Sequence, residues 1–383
     1  MKTVRLGIIG VGGMGTAHGE YVRKGEVGRC ALTAVCDIDP QRLEPFRDLK
    51  TFTDSRKLVR SGEADAVLIA TPHYFHTTIG IDALDHGLHV LTEKPISVHK
   101  ADCLRLIAAH ERNPKQVFAA MFQLRTVAAY KRIRNLIAEG ELGAIQRTSW
   151  IVTAWYRTEA YYASGGWRAT WKGEGGGVLF NQCPHNLDLF QWMAGMPCRV
   201  RAFCGFGKYH DIEVEDEVTA YFEYPNGATG VFIASTGEAP GADRLEIAGD
   251  RGKLVFEDGR LRFVRNEIGA RKFSKTAPGA FDRPETWNVE VPIREGRSGH
   301  AVITQNFVDA ILDGAPLIAP AGEGLHSVEL SNAMIYSALT EKTVELPLDA
   351  KAYERKLKHL IAQSTFKKKR ARKVESDISK SFR

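Results

Sequence analysis

The sequence predicts an α/β protein in two parts: a doubly wound parallel sheet, then an α+β part with a large, mostly antiparallel open sheet. Three observations carry this expectation. Strand-like apolar runs alternate with helical patterns over the first 125 residues, the order that builds parallel βαβ units. The character changes near residue 145, where β-type runs follow one another directly. The turns between those runs, PNG at 225–227, GDRG at 249–252 and EDG at 257–259, suit hairpins.

Taken in order, VRLGII (4–9) reads as a buried strand, and Gly10, Gly12 and Gly15 then give GxGxxG at the opening of a helix. ALTAVCD (31–37) is a second strand that ends in an acid. ADAVLIAT (64–71) and LHVLTEK (88–94) are further strands, separated by the helical pattern HTTIGIDALDHG (76–87). VFAAMFQ (117–123) is another apolar run. The helical stretch AAYKRIRNLIAEGELG (128–143) leads into IQRTSWIVTAW, RVRAFCGF, EVTAYFEY, ATGVFIAST, DRLEIAGDRGKLVFED and GRLRFVR. Two late helices, AVITQNFVDAILDG (301–314) and GLHSVELSNAMIYSALTEK (324–342), are expected to pack across the junction. The expected division is a nucleotide-binding domain at 1–125 and an α+β domain at 126–365. A basic, flexible tail is expected at 366–383.

With 383 residues, 44% apolar and 26% charged, the chain has the make-up of a globular protein with two cores. No segment approaches the ~18 uncharged apolar residues that span a bilayer, so no membrane partner is expected. MKTVRLGIIG runs straight into a strand without a signal-peptide apolar region. The six cysteines form no CxxC pair. Both features point to a reducing, cytoplasmic setting. The net charge of +6 resides in the tail FKKKRARKVESDISKSFR, a solvated terminus rather than a nucleic-acid surface. His73 and His76 make HxxH without a visible third ligand, so no metal is expected.

The glycine turn has the full context of a dinucleotide-binding, Rossmann-type motif: a strand before it, a helix after it, and Asp37 22 residues beyond Gly15. Gly10 makes the turn, Gly12 lets backbone approach a pyrophosphate, and Gly15 allows close helix–strand packing. Val11, Gly13 and Met14 complete the phosphate loop at the helix N-terminus. Asp37 accepts ribose hydroxyls and repels a 2′-phosphate, so NAD is favoured over NADP; Arg42 is the residue that would argue otherwise.

At TEKPIS (92–97) a strand ends in Glu93-Lys94-Pro95, with the lysine at the ligand-binding edge of the sheet. GEGGGVLFNQCPHNLDLFQW (173–192) joins three glycines to Asn181, His185 and Asp188, which fall on one stripe of a helix. Pro184 means that this helix starts or kinks there. Asp188 either fixes the His185 tautomer or ties the helix to the sheet. The glycines are expected to clear space where nicotinamide, lysine strand and histidine helix converge. Cys183 reads as packing. WYRTEAYYASGGWRATW (155–171) supplies aromatics that stack on sugars or cover the domain interface, Tyr156, Tyr161 and Tyr162 among them.

These motifs together resemble the Gfo/Idh/MocA oxidoreductases, the glucose–fructose oxidoreductase and inositol dehydrogenase family. The likeness rests on GIIGVGGMG, ATPHYFH (70–76), ALDHGLHVLTEKP (83–95), the GGG…H..D segment and EGLHSVELSNAMIYSALTEKTVELP. It covers nearly the whole chain except the tail. The resemblance implies proton-handling roles for Lys94 and His185, and an aspartate at the position held here by Asn181, which becomes an orienting residue. It implies a nucleotide site completed by Ile38, Thr71, Pro72, His76, Glu93, Lys94, Gln123, Trp167 and Arg168. A substrate site of Lys94, Arg125, Tyr156, Trp167, Asn181 and His185 is expected, together with a cis Lys94-Pro95 bond. The resemblance assigns substrate binding and oligomerisation to the 126–365 domain, and implies sugars or cyclitols as substrates and a homodimer or homotetramer formed through the C-terminal sheet.

The expected activity is NAD-dependent hydride transfer at a secondary hydroxyl or ketone. The alternatives are a redox glycosidase working through a transient 3-keto sugar, and a non-enzymatic sugar sensor.

Overall fold

Strands and helices alternate through the N-terminal third of the computed structural model, which describes residues 2–368. The strands are β1 (Val4–Ile9), β2 (Cys30–Cys36), β3 (Lys50–Phe52), β4 (Ala66–Ile69), β5 (His89–Thr92) and β6 (Phe118–Ala120). All pair in parallel, in the order β3-β2-β1-β4-β5-β6. The order reverses between β1 and β4, which opens a crevice at their carboxyl ends. Helices α1 (Gly13–Arg23), α2 (Ser55–Val59), α3 (Tyr74–Asp85) and α4 (Lys100–Arg112) make the connections. Covered on both faces, β1 and β4 are near-continuous apolar runs.

Helix α5 (Ala128–Ala138) leads to β7 (Ile145–Val152), the first strand of the second sheet. Three helices follow: α6 (Glu159–Ala163), α7 (Val178–Asn181) and α8 (Pro184–Ala194). Next come β8 (Arg199–Phe206), β9 (Glu215–Glu223), β10 (Thr229–Ser235), β11 (Asp243–Gly249), β12 (Gly252–Glu257) and β13 (Arg260–Asn266). After α9 (Ala270–Thr276) and β14 (Thr286–Val289) come α10 (His300–Asp313), α11 (Gly324–Thr340), β15 (Val344–Glu345) and α12 (Ala350–Gln363). The nine strands run β14-β13-β12-β11-β7-β10-β9-β8-β15. Only β7 and β10 pair in parallel; the other neighbours are antiparallel. Helix α11 covers β8 and also packs on α8. The opposite face carries exposed Phe203 and Tyr221 and cross-strand ion pairs such as Arg199–Glu223.

Although it lies within the 126–365 segment, α10 packs on the first sheet. Arg29 Nη2 pairs with Asp309 at 2.8 Å, and Tyr21 Oη bonds Thr304 Oγ1 at 2.6 Å. Ala120 N also donates to Ala319 O at 3.0 Å. The N-terminal core is thus closed by a helix from the far end of the chain. Helix α11 touches α4 as well as the second sheet, and so packs across the junction as expected.

Among the described residues, no helix is long and apolar enough to cross a membrane. The first residues of the basic tail bond to the aromatic segment that precedes the glycines. Lys368 Nζ donates to the carbonyls of Gly165 at 2.6 Å and Arg168 at 2.7 Å. Residues 369–383, which hold most of the expected flexible tail, lie outside the described residues.

Candidate active site

The glycine turn sits at the β1–β4 crevice. Gly10 has φ +92°, and a Cβ there would lie 2.7 Å from Ala70 O. A Cβ on Gly15 would lie 1.8 Å from Gly10 O, so the turn and α1 touch backbone to backbone. Val11 is buried, Gly12 and Met14 are half-buried, and Gly13 is exposed at the open N-terminus of α1. Asp37 is buried at the end of β2. Its Oδ2 accepts from Val11 N and its Oδ1 from Asp39 N, each at 3.0 Å. A carboxylate has about four lone-pair sites, so acceptor capacity is left over. Ile38, beside it, is 89% exposed, a bare apolar surface at the crevice rim. Arg42 Nη1 lies 3.8 Å from Asp37 Oδ2 and reaches over Gly12.

At the end of β5 the Lys94-Pro95 bond is cis, as expected. Glu93 Oε1 meets His18 Nε2 at 2.7 Å, and its Oε2 accepts from Lys94 N at 3.1 Å. Burial alone would raise the Glu93 carboxyl. The His18 hydrogen bond and the charges of His18, His300 and Lys94 outweigh it and hold the group far below its ordinary range. His18 Nδ1 lies 2.8 Å from Tyr21 Oη, so α1 and α10 together brace the residue before the lysine. His76 does not present its ring to the crevice. Its nitrogens face the carbonyls of Pro95 at 2.8 Å and Thr71 at 2.7 Å, which ties α3 to the lysine turn.

Lys94 Nζ donates to the main-chain carbonyl of Asn181 at 2.9 Å. Burial is the largest influence and lowers the Lys94 ammonium below its ordinary range, although Glu93 and Glu174 work to raise it. His185 lies on α8, whose residues from Pro184 to Gln191 are all buried. Burial first, and then the Lys94 charge, push its imidazole well below the ordinary histidine value. Lys94 is bonded to the main chain four residues before His185, and its charge acts on that imidazole. Gln123 Nε2 lies 3.1 Å from His185 Nε2. His185 Nδ1, Gln123 Oε1 and Thr71 Oγ1 are buried without a partner among the described residues. Unpartnered polar atoms beside a glycine cradle fit a dinucleotide and a hydroxylated substrate.

The expected single stripe is broken. Asn181 ends α7, and α8 starts at Pro184, which occupies a first-turn position where its missing N–H is not needed. Asp188 does not orient His185. It takes Arg125 in a bidentate pair, from Nε to Oδ2 at 2.7 Å and from Nη2 to Oδ1 at 2.6 Å. Arg125 Nη1 reaches Glu323 Oε2 at 2.5 Å. Burial works against the Arg125 charge, but Asp188 and Glu323 outweigh it and raise the group. Arg125 is 1% exposed with its donors engaged, so it is an internal tie and not the substrate ligand expected of it.

The three glycines clear space for the protein itself rather than for nicotinamide. A Cβ would lie 2.0 Å from Val98 Cγ1 at Gly175, 2.3 Å from Phe180 Cδ2 at Gly176, and 2.0 Å from Glu215 O at Gly177. Glu215 caps α7, accepting from Gly177 N at 2.8 Å and Leu179 N at 3.1 Å. Burial nevertheless dominates and pushes its carboxyl up to about 8.

The Asn181 amide is also engaged. Its Oδ1 accepts from Tyr161 Oη at 2.8 Å, and its Nδ2 donates to Glu174. Arg168 Nη1 donates to Tyr161 Oη at 2.8 Å. Trp167 is half-buried and packs edge-on against His73, with ring centroids 5.4 Å apart. Pro72 is half-buried beside the crevice, and Tyr156 is 50% exposed with no side-chain tie to Lys94 or His185. Among the described residues, no group of three histidines, cysteines or acids is placed to hold a metal. Sequence reasoning missed His18, His300 and Glu174; of these only Glu174, beside the glycines, lay in a stretch already singled out.

A glycine-turn crevice with a lysine at its edge and a buried histidine under that lysine's charge defines a Rossmann-type protein with titratable groups at the crevice. The chain belongs to the GFO/IDH/MocA oxidoreductase family. Residues 4–121 match the model described as oxidoreductase family, NAD-binding Rossmann fold. Residues 130–255 match that of the GFO/IDH/MocA C-terminal domain. Inositol 2-dehydrogenase of Salmonella typhimurium is 30% identical over 146 residues, which are 37% of this chain and 43% of that protein. The chain thus spans less than half the length of that curated relative. The structure of the WlbA dehydrogenase from Chromobacterium violaceum, in complex with NADH and UDP-GlcNAcA, is 27% identical. It superposes with a TM-score of 0.78 over 91% of this chain and 97% of that one. The Bordetella pertussis WlbA dehydrogenase gives 25% identity and a TM-score of 0.76 over 91% and 100%.

Proposed function

We propose that the protein is an NAD-dependent oxidoreductase acting on a secondary hydroxyl or ketone of a sugar, sugar derivative or cyclitol. The observation that carries this reading is that Lys94, at the end of β5, holds the main-chain carbonyl of Asn181, four residues before a buried His185 whose imidazole burial and the Lys94 charge keep well below its ordinary value. NAD, when bound, accepts hydride from the carbinol carbon or returns it. The chain handles the proton. A neutral imidazole is ready to take the hydroxyl proton. The Lys94 ammonium stabilises the oxygen as it gains negative charge. Of the two orientations of the Gln123 amide, the one that turns Oε1 toward His185 Nε2–H leaves Nδ1 as the acceptor the base role needs.

Gly10 to Gly15, Asp37 and Ile38 hold the adenosine and pyrophosphate half in this reading. Calorimetry is expected to give tighter binding of NAD than of NADP. Asp37→Asn removes a charge-assisted hydrogen bond, so NAD binding weakens by about 10–100-fold. Tighter NADP binding by the native protein contradicts this and assigns Arg42 to a 2′-phosphate. The open face of the nine-stranded sheet supports assembly into a dimer or tetramer, and the free thiols support a cytoplasmic setting.

The substrate test follows NADH absorbance with cyclitols, free sugars, glycosides and a nucleotide-linked sugar acid, with product analysis in parallel. Stoichiometric NADH and ketone are expected. Glycoside cleavage without net NADH contradicts the reading.

A further inference from the structure

The aspartate that the family resemblance leads one to expect at position 181 is absent, yet the site contains a carboxylate in contact with the residue that replaces it. We propose that Glu174 is the positioning carboxylate of this site, acting on Lys94 through its hydrogen bond to Asn181. Glu174 is 2% exposed. One oxygen accepts from Asn181 Nδ2, and the other accepts from Ala169 N at 2.6 Å. The first bond fixes the Asn181 amide, because Nδ2 must face the carboxylate while Oδ1 receives Tyr161 Oη. Asn181 is the residue whose main-chain carbonyl holds Lys94 Nζ. The order Glu174–Asn181–Lys94 therefore transmits position by contact and negative charge through space.

The other carboxylates near Lys94 or along the 181–188 segment bond groups other than the Asn181 side chain, although Glu93 also accepts from the Lys94 main-chain N–H and acts on its charge. Glu93 is bonded to His18, Glu215 caps α7, and Asp188 holds Arg125. Several charged or titratable groups face Glu174 or lie close to it. Arg168 and Tyr161 come from the aromatic segment, Lys94 from the end of β5, and His73 from the start of α3. Lys368 comes from the C-terminal segment, and Glu215 from β9. Burial raises the Glu174 carboxyl, whereas Arg168, the Ala169 and Asn181 hydrogen bonds and Lys368 favour its charged form.

The inference rests on the dehydrogenase reading of Lys94, but it can be read without substrate. Trace labelling of Lys94 with an amine-reactive anhydride across pH 6–11, quantified by mass spectrometry on the NAD-bound protein, reports where the ammonium deprotonates. Removing a nearby anion disfavours the ammonium, so Glu174→Gln should move that midpoint down by about 0.5–1 pH unit. Glu174→Ala, which leaves no mispaired amide, should do the same. The exchange Glu174→Gln with Asn181→Asp restores a carboxylate one residue nearer Lys94 and should return the midpoint to the native position or above. A midpoint that stays in place in both single variants, or a swap that restores nothing, overturns the proposal and leaves Glu174 as a tie for Ala169. A native protein without dehydrogenase activity would overturn the functional reading, while the labelling would still decide the role of Glu174.

Discussion

Replacing Arg125 with methionine lowers the stability of the protein by about 3–5 kcal/mol, the loss expected when one partner of a buried ion pair is removed. Methionine fills much of the same volume, so the loss comes from the Asp188 carboxylate, left buried without its bidentate partner. Replacing both residues, Arg125→Met with Asp188→Leu, removes the uncompensated charge and should recover most of the loss. Denaturant midpoints of the single and double variants check this. An Arg125→Met protein as stable as the native one, with only its KM for substrate raised, would return Arg125 to the substrate site.

Lys94→Ala and His185→Ala each slow the chemical step by ~10²–10⁴-fold, as expected for positioned acid–base groups. Neither side chain contributes the glycine cradle or Asp37, so NAD binding should change much less. Single-turnover NADH formation and NAD titration separate the two effects. Asn181→Ala should cost less than either, because its link to Lys94 runs through a main-chain carbonyl that alanine keeps. A loss in Asn181→Ala larger than in His185→Ala would reverse the assignment of roles.

The nucleotide half was legible because its signals are local. A strand, a glycine turn, a helix and an acid at fixed spacing specify the crevice, and Glu93-Lys94-Pro95 marks its edge. Burial on both faces makes β1 and β4 visible as apolar runs, whereas the three residues of β3 carry too little pattern. The second sheet was legible from its hairpin turns, but the parallel β7–β10 pair was not, since parallel neighbours are distant in sequence. The site's inner ties were hidden for the same reason. His18 meets Glu93 across 75 residues, and Arg125 meets Asp188 across 63. The Asn181–His185–Asp188 stripe misled because a helical spacing was extended through Gln182 and Cys183, where one helix ends and another begins. Glu174 stood in plain view beside the glycines. Its importance depends on the fold bringing it to the Asn181 amide.

The most direct test of the central claim is the pH dependence of single-turnover NADH formation with the polyol that the substrate screen selects. A base works only while unprotonated, and His185 is held well below the ordinary 6.5 by burial and by Lys94. The rate should therefore stay level as pH falls to 6.5 and decline only below it. On the alkaline side it should fall below the ordinary lysine value of 10.5, because burial lowers Lys94, and Lys94→Arg should move that limb upward. An acid limb at or above 6.5, or one that persists unchanged in His185→Ala, would contradict the assignment of His185 as the base.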